Sequence, residues 1–194
     1  MAQNKITCYQ EITLLSSEEV NVNFLLCKVY SELHKILSEV KYKDNISIGI
    51  SFPKYNMKEH QIGDKIRLFY YSCNQAEIVN LKKRLGKYLD YVHITKVRDI
   101  PETNSYIIFS RVENKGNKEK LARRYATRHN LSYDEAVSKY NEYEMKRNSF
   151  PFIRLKSNSN ENYYFLHIKM EESDFHEGQF NNFGLSKLAT VPNF

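Results

Sequence analysis

An apolar stripe near the amino end sets the frame for this chain. Val22, Leu25, Leu26, Val29, Leu33, Ile36, Leu37 and Val40 recur at steps of three and four. That spacing puts them on one face of a long helix, which must bury that face against other apolar structure. The helix is expected to start after Ser16 or Ser17, either of which can cap it, and to run to about Lys41. Glu18 and Glu19 then lie in its first turn, where acidic groups suit the helix dipole. Strand patterns surround it. Residues 5–13 alternate apolar and polar, residues 46–52 are β-branched and closed by Pro53, and residues 62–72 follow the Gly63-Asp64 turn. Residues 74–85 are expected to form one amphipathic helix ended by Gly86, residues 91–97 read as a further strand, and Pro101 closes the unit. The order β-α-β-β-α-β is the ferredoxin-like pattern.

Beyond Pro101 the texture changes. Residues 105–112 are strand-like and lead into a basic helix from Asn117. Ser132-Tyr133-Asp134-Glu135 has the form of a capping box for a second helix reaching about Lys146. Strands are expected over residues 152–156 and 163–170, joined by a polar turn, and the residues after Gly178 look irregular. The expected fold class is therefore α+β. A ferredoxin-like domain spans residues 1–102, and a second domain, with the basic helix and a β-hairpin, spans residues 103–194.

The basic segment carries Arg111, Lys115, Lys118, Lys120, Arg123, Arg124 and Arg128 against only Glu113 and Glu119. Lys120, Arg124 and Arg128 fall four residues apart on one helix face, with Arg123 beside them. Such a face repels itself unless solvent or an anion covers it, and a nucleic-acid backbone is one such cover. A solvated charged face accounts for the same pattern. The net charge of +6 favours anionic partners in general. The chain has 15 Tyr and 11 Phe but no Trp. Rings interleaved with cations suit RNA, whose unpaired bases stack on them, and suit an ordinary core as well.

Other chemistries find little support. Cys8, Cys27 and Cys73 are odd in number and lack metal-ligand spacing, so they read as reduced core thiols. The histidines form no zinc-binding pair, and there is no Asp-x-Asp pairing, phosphate loop or GxSxG elbow. No metal and no cofactor is expected. No apolar run approaches the roughly 20 residues of a membrane span, so a cytoplasmic protein without membrane attachment is expected. Among single residues, His34 beside the apolar stripe could act as a base or sit quietly at a helix boundary. Ser157 and Ser159 in the hairpin turn could serve a site or bond local backbone. Tyr164 could offer its ring to a base or pack.

Four segments give these residues a common reading. They are Ile48-Gly-Ile-Ser-Phe-Pro53; Ser110-Arg-Val with Leu121-x-Arg-Arg and Arg128-His-Asn-Leu-Ser132; Pro151-Phe-Ile-x-Leu-x-Ser157-x-Ser159; and Phe183-Gly-Leu-Ser-Lys187 with Val191-Pro-x-Phe194. In this order, the chain resembles the type I-F CRISPR-associated endoribonucleases, which mature guide RNA by cutting a repeat hairpin. The resemblance spans most of the chain.

The resemblance implies roles. His34, within Ser31-Glu-Leu-His-Lys-Ile36, would be the general base, and Ser157 would hold the nucleotide that supplies the nucleophile. Ser159 matches a second serine beside it. Tyr164 would stack on the end of the RNA stem, and Arg111 would read a guanine edge. Arg123, Arg124 and Arg128, with Lys120 and His129, would meet the stem phosphates. Two departures stand out. Phe183 replaces a tyrosine that assists at the active site, and Glu113 replaces a glutamine that reads a base. A carboxylate has no donor and prefers a cytosine amine, so a different stem sequence is expected. Ala122 and Thr127 replace two further arginines.

The implied activity is metal-independent cleavage at the stem base by 2′-OH attack, leaving a 2′,3′-cyclic phosphate. The implied partners are the CRISPR repeat RNA hairpin, the mature guide RNA to which the protein stays bound, and other subunits of the type I-F surveillance complex. The alternatives are a non-catalytic hairpin-binding subunit, a duplex-DNA binder and a protein with a solvated basic face.

Overall fold

The computed structural model describes residues 5–113, 118–140, 148–157 and 162–194. The chain divides into two compact units, Met1–Val112 with Phe150–Phe194, and Glu113–Ser149. The larger unit is an α+β assembly with two antiparallel sheets.

The first sheet contains β1 (Cys8–Leu14), β2 (Gly49–Ser51), β3 (Lys65–Tyr70) and β4 (Val92–Ile94) in the order β2-β3-β1-β4, with β5 (Arg98–Asp99) also pairing β1. Ile12 faces Ile66 on one side of β1 and Ile94 on the other, which fixes the register of three strands on one apolar position. The helix α1 (Val22–Asp44) follows β1. It starts later than the serine caps suggested: the Asn21 side chain accepts from the Asn23 amide, and Glu18 and Glu19 fall before it. Leu25, Leu26, Val29, Leu33, Ile36, Leu37 and Val40 are buried as the stripe requires, while Val22 is only partly so. Each fully buried side chain of this kind contributes about 1.5–3 kcal/mol.

The amphipathic segment before Gly86 is not one helix. It breaks into α2 (Cys73–Val79) and α3 (Leu81–Arg84) because Asn80 adopts a left-handed conformation that ends one helix and caps the next. A further correction concerns the cysteines. Cys8 and Cys73 form a disulfide across 65 positions of sequence, tying β1 to the start of α2, and Cys27 is left as a free thiol. Cys8 lies opposite Tyr70, three residues before Cys73, so the strand register brings the two together. Sequence spacing carries no trace of that proximity.

The second sheet has the order β7-β8-β6-β9, from β6 (Tyr106–Val112), β7 (Phe152–Lys156), β8 (Tyr163–Ser173) and β9 (Val191–Pro192). Its rings join the same core: Phe52 meets Phe109 edge-on at 5.4 Å, and Tyr55 donates to the Ile168 carbonyl at 2.9 Å. The segment after Gly178, expected to be irregular, is firmly held. Lys41 donates to the Phe180 carbonyl, and a Cβ on Gly49 would lie 2.8 Å from the Phe180 ring, so only glycine admits that ring against β2.

The smaller unit contains α4 (Lys118–His129) and α5 (Tyr133–Ser138). Ala122 and Ala136 are buried. The capping box forms as expected: the Glu135 amide donates to the Ser132 hydroxyl, and the Ser132 amide donates to the Glu135 carboxylate. α5 ends at Ser138, short of the expected Lys146, and residues 141–147 lie outside the described residues. No helix among the described residues is long and apolar enough to cross a membrane.

Candidate active site and RNA interface

The turn Asn181–Gly184 builds one wall of a site on α1. The Asn181 side-chain oxygen accepts from the amides of Phe183 and Leu185, and its carbonyl accepts from Gly184. Gly184 has φ +72°, and its carbonyl accepts from the Ile50 amide of β2. A Cβ there would lie 2.6 Å from Ile50, so both conformation and space demand glycine. The Tyr30 hydroxyl donates to the Phe183 carbonyl at 2.7 Å; burial raises the Tyr30 pKa, which keeps it a donor.

This turn fixes His34, one helical turn after Tyr30. The imidazole Nδ1 lies 2.8 Å from the Asn182 carbonyl. A carbonyl only accepts, so Nδ1 carries the proton and the neutral ring presents Nε2 as a free lone pair. The imidazole also stacks on Phe183, with centroids 4.0 Å apart and planes 5° apart. Burial lowers the His34 pKa first, the carbonyl bond opposes this, and the nearby Arg111 charge lowers it further. The ring is therefore oriented, its neutral form is favoured, and in that form Nε2 is an acceptor.

Arg111, on β6, places its guanidinium 5.5 Å from the centre of the Phe183 ring. The same charge acts on Tyr164, whose pKa is raised by its partial burial and lowered by Arg111. Arg111 faces Ile168 across the β6–β8 ladder, and Tyr164 lies four residues earlier on β8, on that same face. His34, Phe183, Arg111 and Tyr164 therefore gather around one small region. Ser157 ends β7 beyond Lys156, and its amide donates to the Asn162 carbonyl at 2.8 Å, closing the hairpin. Ser159 lies outside the described residues.

The remaining residues named from the sequence sit on the smaller unit. Glu113 is exposed at its start. On α4, Lys120, Arg123, Arg124, Arg128 and His129 are exposed, and Arg123, Arg124, Thr127 and Arg128 line a shallow open depression. His129 packs on Tyr125 at 4.2 Å between ring centres. A depression lined by three arginines and one threonine is electrostatically suited to phosphate.

Sequence reading missed Asn182 and Tyr30 as site residues. Tyr30 was detectable from its i, i+4 relation to His34. Asn181-Asn182-Phe183-Gly184 has turn composition, but no local signal says that a backbone carbonyl there meets a histidine 148 positions away.

A helix-borne histidine beside an arginine, in a protein that also carries an arginine-lined helix, is a combination suited to a partner bearing phosphate. Comparison with known proteins gives the family. A profile described as CRISPR-associated protein (Cas_Csy4) matches residues 9–194, and the chain belongs to that family. The chain is 28% identical over 188 residues to the CRISPR-associated endonuclease Cas6/Csy4 of Escherichia coli (strain UTI89 / UPEC), covering 96% of this chain and 98% of that protein. It is equally 28% identical, with the same coverage, to the CRISPR-associated endonuclease Cas6/Csy4 of Pseudomonas aeruginosa (strain UCBPP-PA14).

Proposed function

We propose that this protein is a CRISPR RNA-processing endoribonuclease that binds the stem-loop of the repeat and cuts at the stem base. The observation that carries the reading is the hydrogen bond from His34 Nδ1 to the Asn182 carbonyl, which leaves Nε2 free to take a proton. The 2′-OH upstream of the scissile phosphate attacks the phosphorus as His34 Nε2 removes its proton. Ser157 holds that ribose, with Ser159 beside it, and such alignment contributes several kcal/mol toward the barrier. The P–O5′ bond breaks and the leaving oxygen takes a proton from water, giving a 2′,3′-cyclic phosphate and a 5′-OH. Charge near His34 comes from Arg111, a cation that attracts phosphate and repels a divalent ion, which supports a metal-independent route.

Tyr164 stacks on the end of the stem, and Arg111 reads a guanine edge there. Glu113 selects the neighbouring base through a cytosine amine. Lys120, Arg123, Arg124, Arg128 and His129 hold the phosphates, in number and charge suited to a hairpin. Residues 1–102 supply the base, and residues 103–194 supply the RNA clamp; this boundary is one of role. The strand order β2-β3-β1-β4 with helices after β1 and β3 supports a ferredoxin-like arrangement for the first part. Because the stem outlasts the cut, the protein retains the mature guide RNA in the cytoplasm and joins the other subunits of the type I-F surveillance complex.

One observation favours a second reading. Phe183 has no hydroxyl to donate at the site, so a non-catalytic hairpin-holding subunit would use the same clamp. A repeat hairpin with 2′-deoxyribose at the one nucleophilic position separates them. The proposal requires that the ribose form be cut and the deoxy form be bound intact; uncut, tightly bound RNA in both cases supports the holder.

A further inference from the structure

Between the first half of α1 and the outer face of the β7–β8 hairpin runs a groove of about 470 Å³. Three rings line it: Phe24 from α1, and Phe152 and Tyr163 from the hairpin. Phe24 and Tyr163 are 58% and 60% exposed, so neither ring is spent on the core. Lys28 lies over the Phe24 ring at 5.4 Å, and the Arg154 guanidinium lies over the Tyr163 ring at 4.2 Å. Lys156, opposite Tyr163 in the ladder, and His60 join Asn23 and Ser31 in the polar lining, which contains no Asp or Glu among the described residues. Exposed rings paired with cations, without a carboxylate, suit a flexible polyanion carrying flat bases. An apolar protein segment would have no use for so uniform a positive rim.

The groove is continuous with the proposed site. Ser31, in its lining, is one helical turn before His34 on α1, and Lys156 immediately precedes Ser157 on β7. We infer that the groove holds the unpaired RNA immediately 3′ of the scissile phosphate, an inference that rests on the cleavage reading above. In the cleavage reading the nucleotide that supplies the 2′-OH belongs to the stem base, which puts the stem on the 5′ side of that phosphate and leaves the strand on the other side single. Stacking its first bases on Tyr163 and Phe24, with Arg154 and Lys28 against the phosphates, anchors the leaving group while the 2′-OH lines up. After the cut the short anchored strand departs, and the stem stays.

The test is equilibrium binding of the full chain at fixed salt to two uncuttable 2′-deoxy hairpins. One ends at the stem base, and the other carries a short unpaired 3′ flank with 2-aminopurine at its second position. The flank is expected to tighten binding by about tenfold and to quench the fluorophore on stacking. Phe24→Ala and Tyr163→Ala, both at exposed rings, are expected to remove that gain and leave the flankless affinity unchanged. A flank that adds nothing, or a gain that survives both substitutions, overturns the inference and assigns the groove to another occupant such as a companion protein. Failure to bind either hairpin overturns the cleavage reading itself, and this inference with it.

Discussion

The imidazole of His34 lies flat on the ring of Phe183, 4.0 Å away and 5° from parallel, while its Nδ1 is bonded to the carbonyl of the preceding residue, Asn182. A single turn thus fixes both the plane and the tautomer of the ring. The missing tyrosine hydroxyl does not disturb this arrangement, because packing and a backbone carbonyl do the holding. Phe183→Ala is expected to lower the single-turnover cleavage rate about tenfold or more while hairpin affinity changes little, since orientation is lost and the clamp is intact. Phe183→Tyr keeps the stack and should keep the rate at least at its starting value.

The pH dependence follows from the direction of the His34 shift. Burial first, and the Arg111 charge second, lower its pKa from the ordinary value of 6.5. A general base works unprotonated, so its rate is flat above the pKa and falls as pH drops below it. The expected profile has its half-point under pH 6.5 and levels off above that half-point. Arg111→Ala removes one lowering influence and moves the half-point upward. Single-turnover rates measured across pH for the two proteins check this.

Gly184→Ala tests the turn that supports the site. The residue has φ +72° and its Cβ would meet Ile50, so the substitution is expected to cost about 1–3 kcal/mol and to displace the Asn182 carbonyl from His34. Urea unfolding gives the first effect and the cleavage rate the second. A variant as stable and as active as the parent would remove the turn from the account.

Much of this was legible in the sequence, and the gaps have physical reasons. The α1 stripe, the hairpin strands and the Ser132–Glu135 box are local patterns with local causes, and each formed. The structure places His34 and Tyr164 near Arg111, residues that lie far apart in sequence and that the resemblance named for separate roles. The disulfide, the Asn80 break and the Asn182 carbonyl were not legible. The first and third depend on strand and loop register far along the chain, and the second on one residue tolerating a left-handed backbone.

Two arginines should behave differently on RNA. Arg124→Ala, on exposed α4, is expected to weaken all stems alike and to reduce the salt slope of log K by about 1. Arg111→Ala is expected to cost about 1–3 kcal/mol at one base pair and relax the preference there. Binding of a small panel of stem sequences at several salt concentrations separates the two patterns.

Reduction of the Cys8–Cys73 bond releases a loop closed over 65 positions. A cross-link of that span is worth about 2–4 kcal/mol, and Cys73→Ser should lower the unfolding free energy by that amount. Denaturation with and without a reductant measures it, and the substituted protein should no longer respond to the reductant.

The central claim is that His34 Nε2 is the base of a metal-independent ribonuclease. The most direct measurement is cleavage of the repeat hairpin in excess EDTA by the intact protein and by His34→Ala. The first is expected to cut, leaving a 2′,3′-cyclic phosphate on the product, and the second to bind tightly without cutting. Equal cutting by both proteins, or cutting that appears only when a divalent ion is restored, would contradict it.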